Sequence, residues 1–154
     1  EMELVVALGA GGFQVSEAAA AGLVYGYAAG LDMTRRDLQQ RAKDHAHPWD
    51  LGKDFEQAAI ISPIVIKPEG ALLQQGAIEL SVNQTMKQSS NLSLMIWSVA
   101  ELISDLSRYY RLLPGDLIYT GTPDGVGPVV PGDCLTGHIE GVGRVVANIT
   151  APLA

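Results

Sequence analysis

Glu1-Met2-Glu3-Leu4-Val5-Val6-Ala7-Leu8 opens the sequence and runs into Gly9-Ala10-Gly11-Gly12. The apolar, β-branched run predicts a strand, the glycines end it in a turn, and Val15 beyond them predicts a hairpin return. Glu1 and Glu3 are spaced i, i+2, so in a strand both carboxylates project from one face. Two such groups about 7 Å apart along a strand repel unless a cation lies between them. The alternative is a solvated strand end. The strand has no leader, cap or initiator methionine before it, so a further segment is expected ahead of Glu1.

Outward from this strand, Ser16 reads as the N-cap of a short helix over 16–21 that Gly22 terminates. Residues 23–31 are β-like, with Gly26 and Gly30 marking places where another backbone passes closely. Residues 34–43 form a polar helix that the turn His45-Ala46-His47-Pro48 stops. The apolar segment 58–66 is broken by Pro63, and 77–83 alternates in strand fashion. Residues 93–110 place Leu94, Trp97, Val99, Ile103, Leu106 and Tyr110 near a helical period, which predicts the longest helix. The turn Pro114-Gly115-Asp116 launches the strand Leu117-Ile118-Tyr119, followed by a loop over 120–127. Pro131-Gly132-Asp133 repeats that turn before strands over 134–139 and 143–149. Many short strands with one long helix give a β-rich α+β fold, and the absence of alternating βα units argues against a doubly wound sheet.

A length of 154 residues suits a single domain with one core. The one cysteine, Cys134, has no partner for an intramolecular disulfide, which favours a reducing cytoplasm and a role as a small strand hydrophobe. A net charge of -7 without a dense Lys/Arg cluster argues against nucleic-acid binding. The apolar runs fall short of the ~20 residues that cross a bilayer, so no membrane partner is expected.

Asp32 ends a strand-like segment and reads either as a third ligand beside Glu1 and Glu3 or as the cap of the helix that follows. Ligation by oxygen alone suits Mg²⁺, Mn²⁺ or Ca²⁺. Lys53 lies between Trp49 and Phe55, whose rings would partly desolvate its ammonium against an anionic ligand; otherwise it is a surface lysine between two aspartates. Thr120-Gly121-Thr122-Pro123 joins a strand to a glycine-rich loop, able to offer hydroxyls and N–H groups to a carboxylate or to serve as an ordinary turn. His45 and His47 flank a proline turn and read as solvated. Neither a phosphate-loop spacing nor a dinucleotide fingerprint is present.

The order of several motifs resembles the fumarylacetoacetate hydrolase family. The matching stretches are the opening Glu1-Met2-Glu3-Leu4, the run from Gly26 through Asp32 to Gln39, Pro48-Trp49 through Lys53-Asp54-Phe55, the run from Leu113 to Pro123, and Gly125-Val126-Gly127. The resemblance, which spans residues 1 to about 149, implies a compact mixed β-roll whose subunits usually pair as dimers. It implies that Glu1, Glu3 and Asp32 hold Mg²⁺ or Mn²⁺, with Ca²⁺ able to replace them in crystals. Lys53 and Gln39 match the family's catalytic lysine and substrate-contacting glutamine. Thr120, Gly121 and Thr122 match its substrate-binding loop, and Arg36 matches an arginine beside the metal.

Within the family, the run from Gly30 to Gln39 together with Ile96 to Glu101 and Gly115 to Ile118 is most similar to the bacterial fumarylpyruvate hydrolases. The activity implied is metal-dependent cleavage of a carbon–carbon bond in acylpyruvates, small 2,4-dioxo acids. Decarboxylation or tautomerisation of a 2-oxo acid on the same site is the alternative, and a non-catalytic binding module is a third. Two departures stand out. The family's water-activating histidine–glutamate pair lies on an N-terminal lid that this sequence does not include, and Val82-Asn83-Gln84 stands where a Val-Asn-Gly turn is common.

Overall fold

The run Met2–Leu8 has no polar face apart from Glu3, so as a strand it must be covered on both sides. In the computed structural model, which describes residues 1–151, this is β1, and all seven of its residues are buried. Then follow α1 (Glu17–Ala20), β2 (Val24–Asp32), α2 (Arg36–Asp44), α3 (Asp50–Lys53), β3 (Ala59–Ile61), β4 (Val65–Ile66), β5 (Ala77–Val82) and β6 (Thr85–Asn91). The chain continues through α4 (Val99–Tyr109), β7 (Leu117–Tyr119), β8 (Cys134–Ile139) and β9 (Gly143–Asn148).

The strands make two sheets, in the orders β3-β2-β1-β7, with β4 also on β2, and β6-β5-β8-β9. This is the strand-rich α+β architecture expected, with antiparallel pairings. Alternation along β1 sends Met2, Leu4, Val6 and Leu8 into a core shared with Leu31, Ile78, Leu80, Leu135 and Ile139, which Val99 and Ile103 of α4 help to fill. The sheets meet closely at the head of β1. A Cβ on Gly137 of β8 would lie 2.3 Å from Met2 Sδ, so a larger residue there would require the methionine to shift.

The structure departs from the expected elements in four places. The strand returning along β1 begins at Val24 rather than Val15. Gly12 exchanges backbone hydrogen bonds with Leu112, and Val15 N–H donates to Ser107 Oγ at 2.8 Å, which draws the intervening loop to the end of α4. Ser16 sits at the N-cap of α1 without a side-chain capping bond. The helix expected over 93–110 is shorter: a 3₁₀ turn at Leu92–Leu94 ends at Met95, and α4 starts afresh at a capping box. There Ser98 Oγ accepts from Glu101 N–H and Glu101 Oε2 accepts from Ser98 N–H at 2.7 Å. Leu94 and Trp97 therefore stay exposed. Helix α2 also begins two residues later than expected, at Arg36.

Segment 58–66 splits at Ser62-Pro63 into β3 and β4, both paired to β2. Ser62 Oγ accepts from the Ala29 N–H at the gap, at 3.0 Å. At the tip between β5 and β6, Asn83 and Gln84 both have positive φ, 50° and 66°, so the two-residue hairpin turn persists with glutamine in the place glycine would fill without strain.

Gly26 is the point where β4 crosses β2: a Cβ there would stand 2.3 Å from the Val65 carbonyl oxygen. Because backbone must move to admit it, Gly26→Ala should cost about 1–3 kcal/mol of stability. A lower urea midpoint at unchanged slope checks this.

Candidate metal centre

The register of β1 against β2 pairs Met2 with Leu31 and Glu3 with Gly30. Glu1 consequently lies beside Asp32, whose N–H donates to the Glu1 carbonyl oxygen at 2.9 Å. Glu1, Glu3 and Asp32 therefore share the face opposite Met2, Leu4 and Leu31. One oxygen from each carboxylate lies within 4.8 Å of the others. A slip of one residue would turn a glutamate into the core and separate the group. Three carboxylates with no thiolate or imidazole form a hard donor set that fits Mg²⁺, Mn²⁺ or Ca²⁺.

Two cationic side chains answer this concentration of negative charge. Lys53 Nζ donates to Glu1 Oε2 at 2.7 Å and to Asp32 Oδ2 at 2.8 Å, and Arg36 donates to Glu1 Oε1 at 2.6 Å. Burial disfavours the charged form of Glu1, but the hydrogen bonds from Lys53 and Arg36 outweigh it and its pKa falls. Lys53 is desolvated too, yet its bonds to Asp32 and Glu1 raise its pKa and keep it an ammonium. Glu3, 4% exposed, has no such partner. Burial raises its pKa; the Gly121 N–H, donating to Glu3 Oε2 at 2.8 Å, offsets this in part, and the charges of Asp32 and Glu1 add to the rise. Burial and the nearby Asp32 and Glu3 push the Tyr119 phenol up to about 12.

The expected site residues come together in part. Lys53 joins the acids, but not through the aromatic rings beside it in sequence: Trp49 packs under Lys43 Nζ at 4.8 Å and Phe55 under the Arg35 guanidinium at 4.4 Å. Asp32 accepts from Lys53 instead of capping α2, which carries no side-chain cap. Gln39 is buried, one step from the acids, its Oε1 accepting from Arg36 Nη1 at 3.1 Å. In the 120–122 loop, Thr120 Oγ1 donates to the Leu4 carbonyl and the Gly121 N–H is taken by Glu3, so the nest holds one of the chain's own carboxylates. Thr122 Oγ1 accepts from Gln88 Nε2 at 2.9 Å, leaving its own hydrogen to donate. His45 and His47 are exposed, their rings tilted by 32° with centroids 5.6 Å apart.

Gln88 of β6 was not marked by any motif. It is 1% exposed, accepts from Met2 N–H at 3.0 Å, and donates to both Thr122 Oγ1 and the Pro123 carbonyl. It thus ties the backbone between the two glutamates to the loop after β7. The available signal was its place directly opposite Leu80, a polar residue at a core-facing position of a hairpin.

A strand-rich α+β domain with three convergent carboxylates, a lysine between two of them and a Thr-Gly-Thr loop against the third defines a class of hard-cation site. The chain belongs to the fumarylacetoacetate hydrolase family: residues 1–150 match the family model described as fumarylacetoacetate (FAA) hydrolase C-terminal. It is 59% identical over 149 residues to the fumarylpyruvate hydrolase of Ralstonia sp, covering 97% of this chain and 77% of that protein. It is 42% identical over 142 residues to the mitochondrial oxaloacetate tautomerase of Mus musculus, covering 92% of this chain and 64% of that one. The crystal structure of fumarylpyruvate hydrolase from Pseudomonas aeruginosa in complex with Mn²⁺ and pyruvate superposes with a TM-score of 0.95 at 43% identity, covering 99% of this chain and 65% of that chain.

Two outcomes follow from the geometry. Without a cation, Glu3 binds its proton more tightly folded than unfolded, so the metal-free fold loses stability as pH rises through the raised pKa. A cation needs Glu3 ionised and competes with that proton. The gain in Tm on adding Mn²⁺ should be largest near neutrality and shrink as pH falls, beginning above the ~4.3 of an ordinary glutamate; thermal melts from pH 5 to 8 check it. Gln88→Ala, which strands the buried Met2 N–H, should cost about 1–3 kcal/mol in chemical denaturation and weaken Mn²⁺ binding measured by calorimetry.

Proposed function

We propose that this chain is the metal-holding catalytic core of an acylpyruvate hydrolase that converts fumarylpyruvate to fumarate and pyruvate. The observation that carries the reading is the convergence of Glu1, Glu3 and Asp32 with Lys53 bonded to two of them, in a chain 59% identical to the Ralstonia fumarylpyruvate hydrolase. Glu1, Glu3 and Asp32 would hold Mg²⁺ or Mn²⁺. A divalent cation bound there supplies Lewis-acid polarisation and a template for the 1-carboxylate and 2-oxo group of the substrate.

In the reaction, water oxygen bonds to carbon 4 and the bond between carbons 3 and 4 breaks. Its electron pair leaves on the pyruvate enolate, which is then protonated at carbon 3. Lys53 stays cationic beside Glu1 and Asp32 and so places positive charge where the enolate develops. Arg36 and Gln39, bonded to each other, fix the wall next to Glu1. Thr122 has a hydroxyl hydrogen to donate to a substrate oxygen, and Gly121 orients Glu3. His45, His47 and His138 are exposed.

A second reading, 2-oxo acid tautomerisation, draws on the mouse oxaloacetate tautomerase relative and uses the same residues without water attack. We place the protein in the cytoplasm, in aromatic-compound breakdown, as a homodimer; the exposed apolar strip Leu94, Ile96 and Trp97 supports the dimer.

Purified protein carrying Mn²⁺ or Mg²⁺ should release pyruvate and fumarate from fumarylpyruvate. Failure to cleave any of a panel of acylpyruvates sinks the hydrolase reading, and conversion of enol to keto oxaloacetate alone would favour the second. Glu3→Gln and Asp32→Ala should each abolish metal-dependent turnover in a folded protein. Lys53→Met should lower kcat and kcat/KM together by ~10²–10³, with metal affinity unchanged or higher because a cation beside the ligands is gone. Steady-state kinetics at saturating metal and a metal titration check both parts.

A further inference from the structure

We propose that the cleft running from Glu1 and Asp32 toward β6 is a subsite for a second carboxylate, in which Arg35 and Lys87 select acylpyruvates whose acyl group is itself an acid. The inference rests on the reading of the site given above and adds the side chains that would read the far carboxylate of the fumaryl group.

Two clefts border the carboxylate cluster and its loop. One, of about 570 Å³, lies beside Thr120–Thr122; its outer wall is Leu94, Met95, Ile96 and Trp97, and its only charged lining residue is Asp124. A substrate carboxylate entering it would shed water against apolar surface and meet a like charge. The other, of about 590 Å³, has Glu1 and Asp32 on its wall together with Arg35, Arg36 and Lys87. Met33, Leu80 and Val129 also line it, giving apolar surface for a hydrocarbon segment.

The charges of this second cleft are not all committed. Arg36 is spent on Glu1 and Gln39. Arg35 and Lys87 have no ion-pair partner among the described residues. The Arg35 guanidinium carbon lies 4.4 Å from the centroid of the Phe55 ring, which restrains it, and among the described residues its N–H groups have no hydrogen-bond acceptor. Lys87 faces the charge of Asp133, but that carboxylate is already held by Val130 N–H and Asn83 Nδ2. Asp37 is the one lining acid besides Glu1 and Asp32, so the uncommitted charge is two cations against one anion. A ligand that meets the metal carboxylates at one end and carries a carboxylate at the other is complementary to this arrangement; one with a neutral acyl group leaves both cations unanswered.

The test uses two ligands of equal length that are not cleaved and differ in one carboxylate, 2-oxoadipate and 2-oxohexanoate, titrated by calorimetry into the Mn²⁺-loaded full-length protein. Wild type should bind the diacid about tenfold more tightly. An exposed cation–carboxylate contact is worth about two- to fivefold, so Arg35→Gln and Lys87→Gln should each cut the preference by that factor. The double variant should erase it while binding the monoacid as wild type does. No preference in wild type, a preference that survives the double variant, or equal loss for both ligands would each overturn the proposal. In turnover, kcat/KM for fumarylpyruvate should fall in the variants while that for acetylpyruvate holds. If the preference behaves as stated but wild type cleaves neither substrate, the hydrolase reading fails and the subsite stands.

Discussion

The mutual repulsion of three carboxylates at one end of the β1–β2 pair is the constraint around which this structure is arranged. Antiparallel register places Glu1 beside Asp32 and Glu3 two residues along the same face. Unshielded, such groups would push the strand ends apart or take up protons. The fold supplies compensation from three directions: α3 carries Lys53 to the gap between Glu1 and Asp32, the start of α2 brings Arg36 to the other Glu1 oxygen, and the turn after β7 aims the Gly121 N–H at Glu3. The short helices between β2 and β3 thus serve chiefly to deliver cations to a strand end.

The same constraint accounts for the polar bonds beneath the site. Thr120 is locked to the Leu4 carbonyl by both its N–H and its hydroxyl, which pins the loop that presents Gly121. Gln88 closes the circuit from the other sheet, since its amide bonds Met2 N–H on one side and Thr122 and Pro123 on the other. The strand and loop that carry the carboxylates are therefore joined through a side chain of the other sheet, and the Thr122 hydroxyl is oriented by a buried group.

Much of this was legible in the residue order. The i, i+2 spacing of Glu1 and Glu3 states that they share a face, and Asp32 at the end of the next long strand could reach them only in an antiparallel pair. Other parts were hidden because they depend on partners far along the chain. Gln88 meets Met2 across 86 residues, and only its place across the hairpin from Leu80 sets it apart from a solvated glutamine on an edge strand. Neighbours in sequence misled in two places. Trp49 and Phe55 flank Lys53 in sequence but sit under Lys43 and Arg35. Apolar residues from Leu94 onward mimic a helical period, while the Ser98-Val99-Ala100-Glu101 pattern, a capping box readable from the sequence, is what starts α4.

The three carboxylates are not equivalent, and the difference decides how the site would take up a cation. Glu1 and Asp32 are already satisfied by Lys53 and Arg36, so a metal that joins them must share those oxygens with two positive side chains. Glu3 has a single neutral donor and is the most deeply buried of the three, which is why burial and its neighbours raise its pKa while that of Glu1 falls. Ionising Glu3 without a counter-charge is unfavourable, and a divalent cation removes that penalty directly. A cation held by the three carboxylates would therefore gain most at Glu3. Lys53, bonded to Glu1 and Asp32 and not to Glu3, would keep its charge on the other side of the cluster.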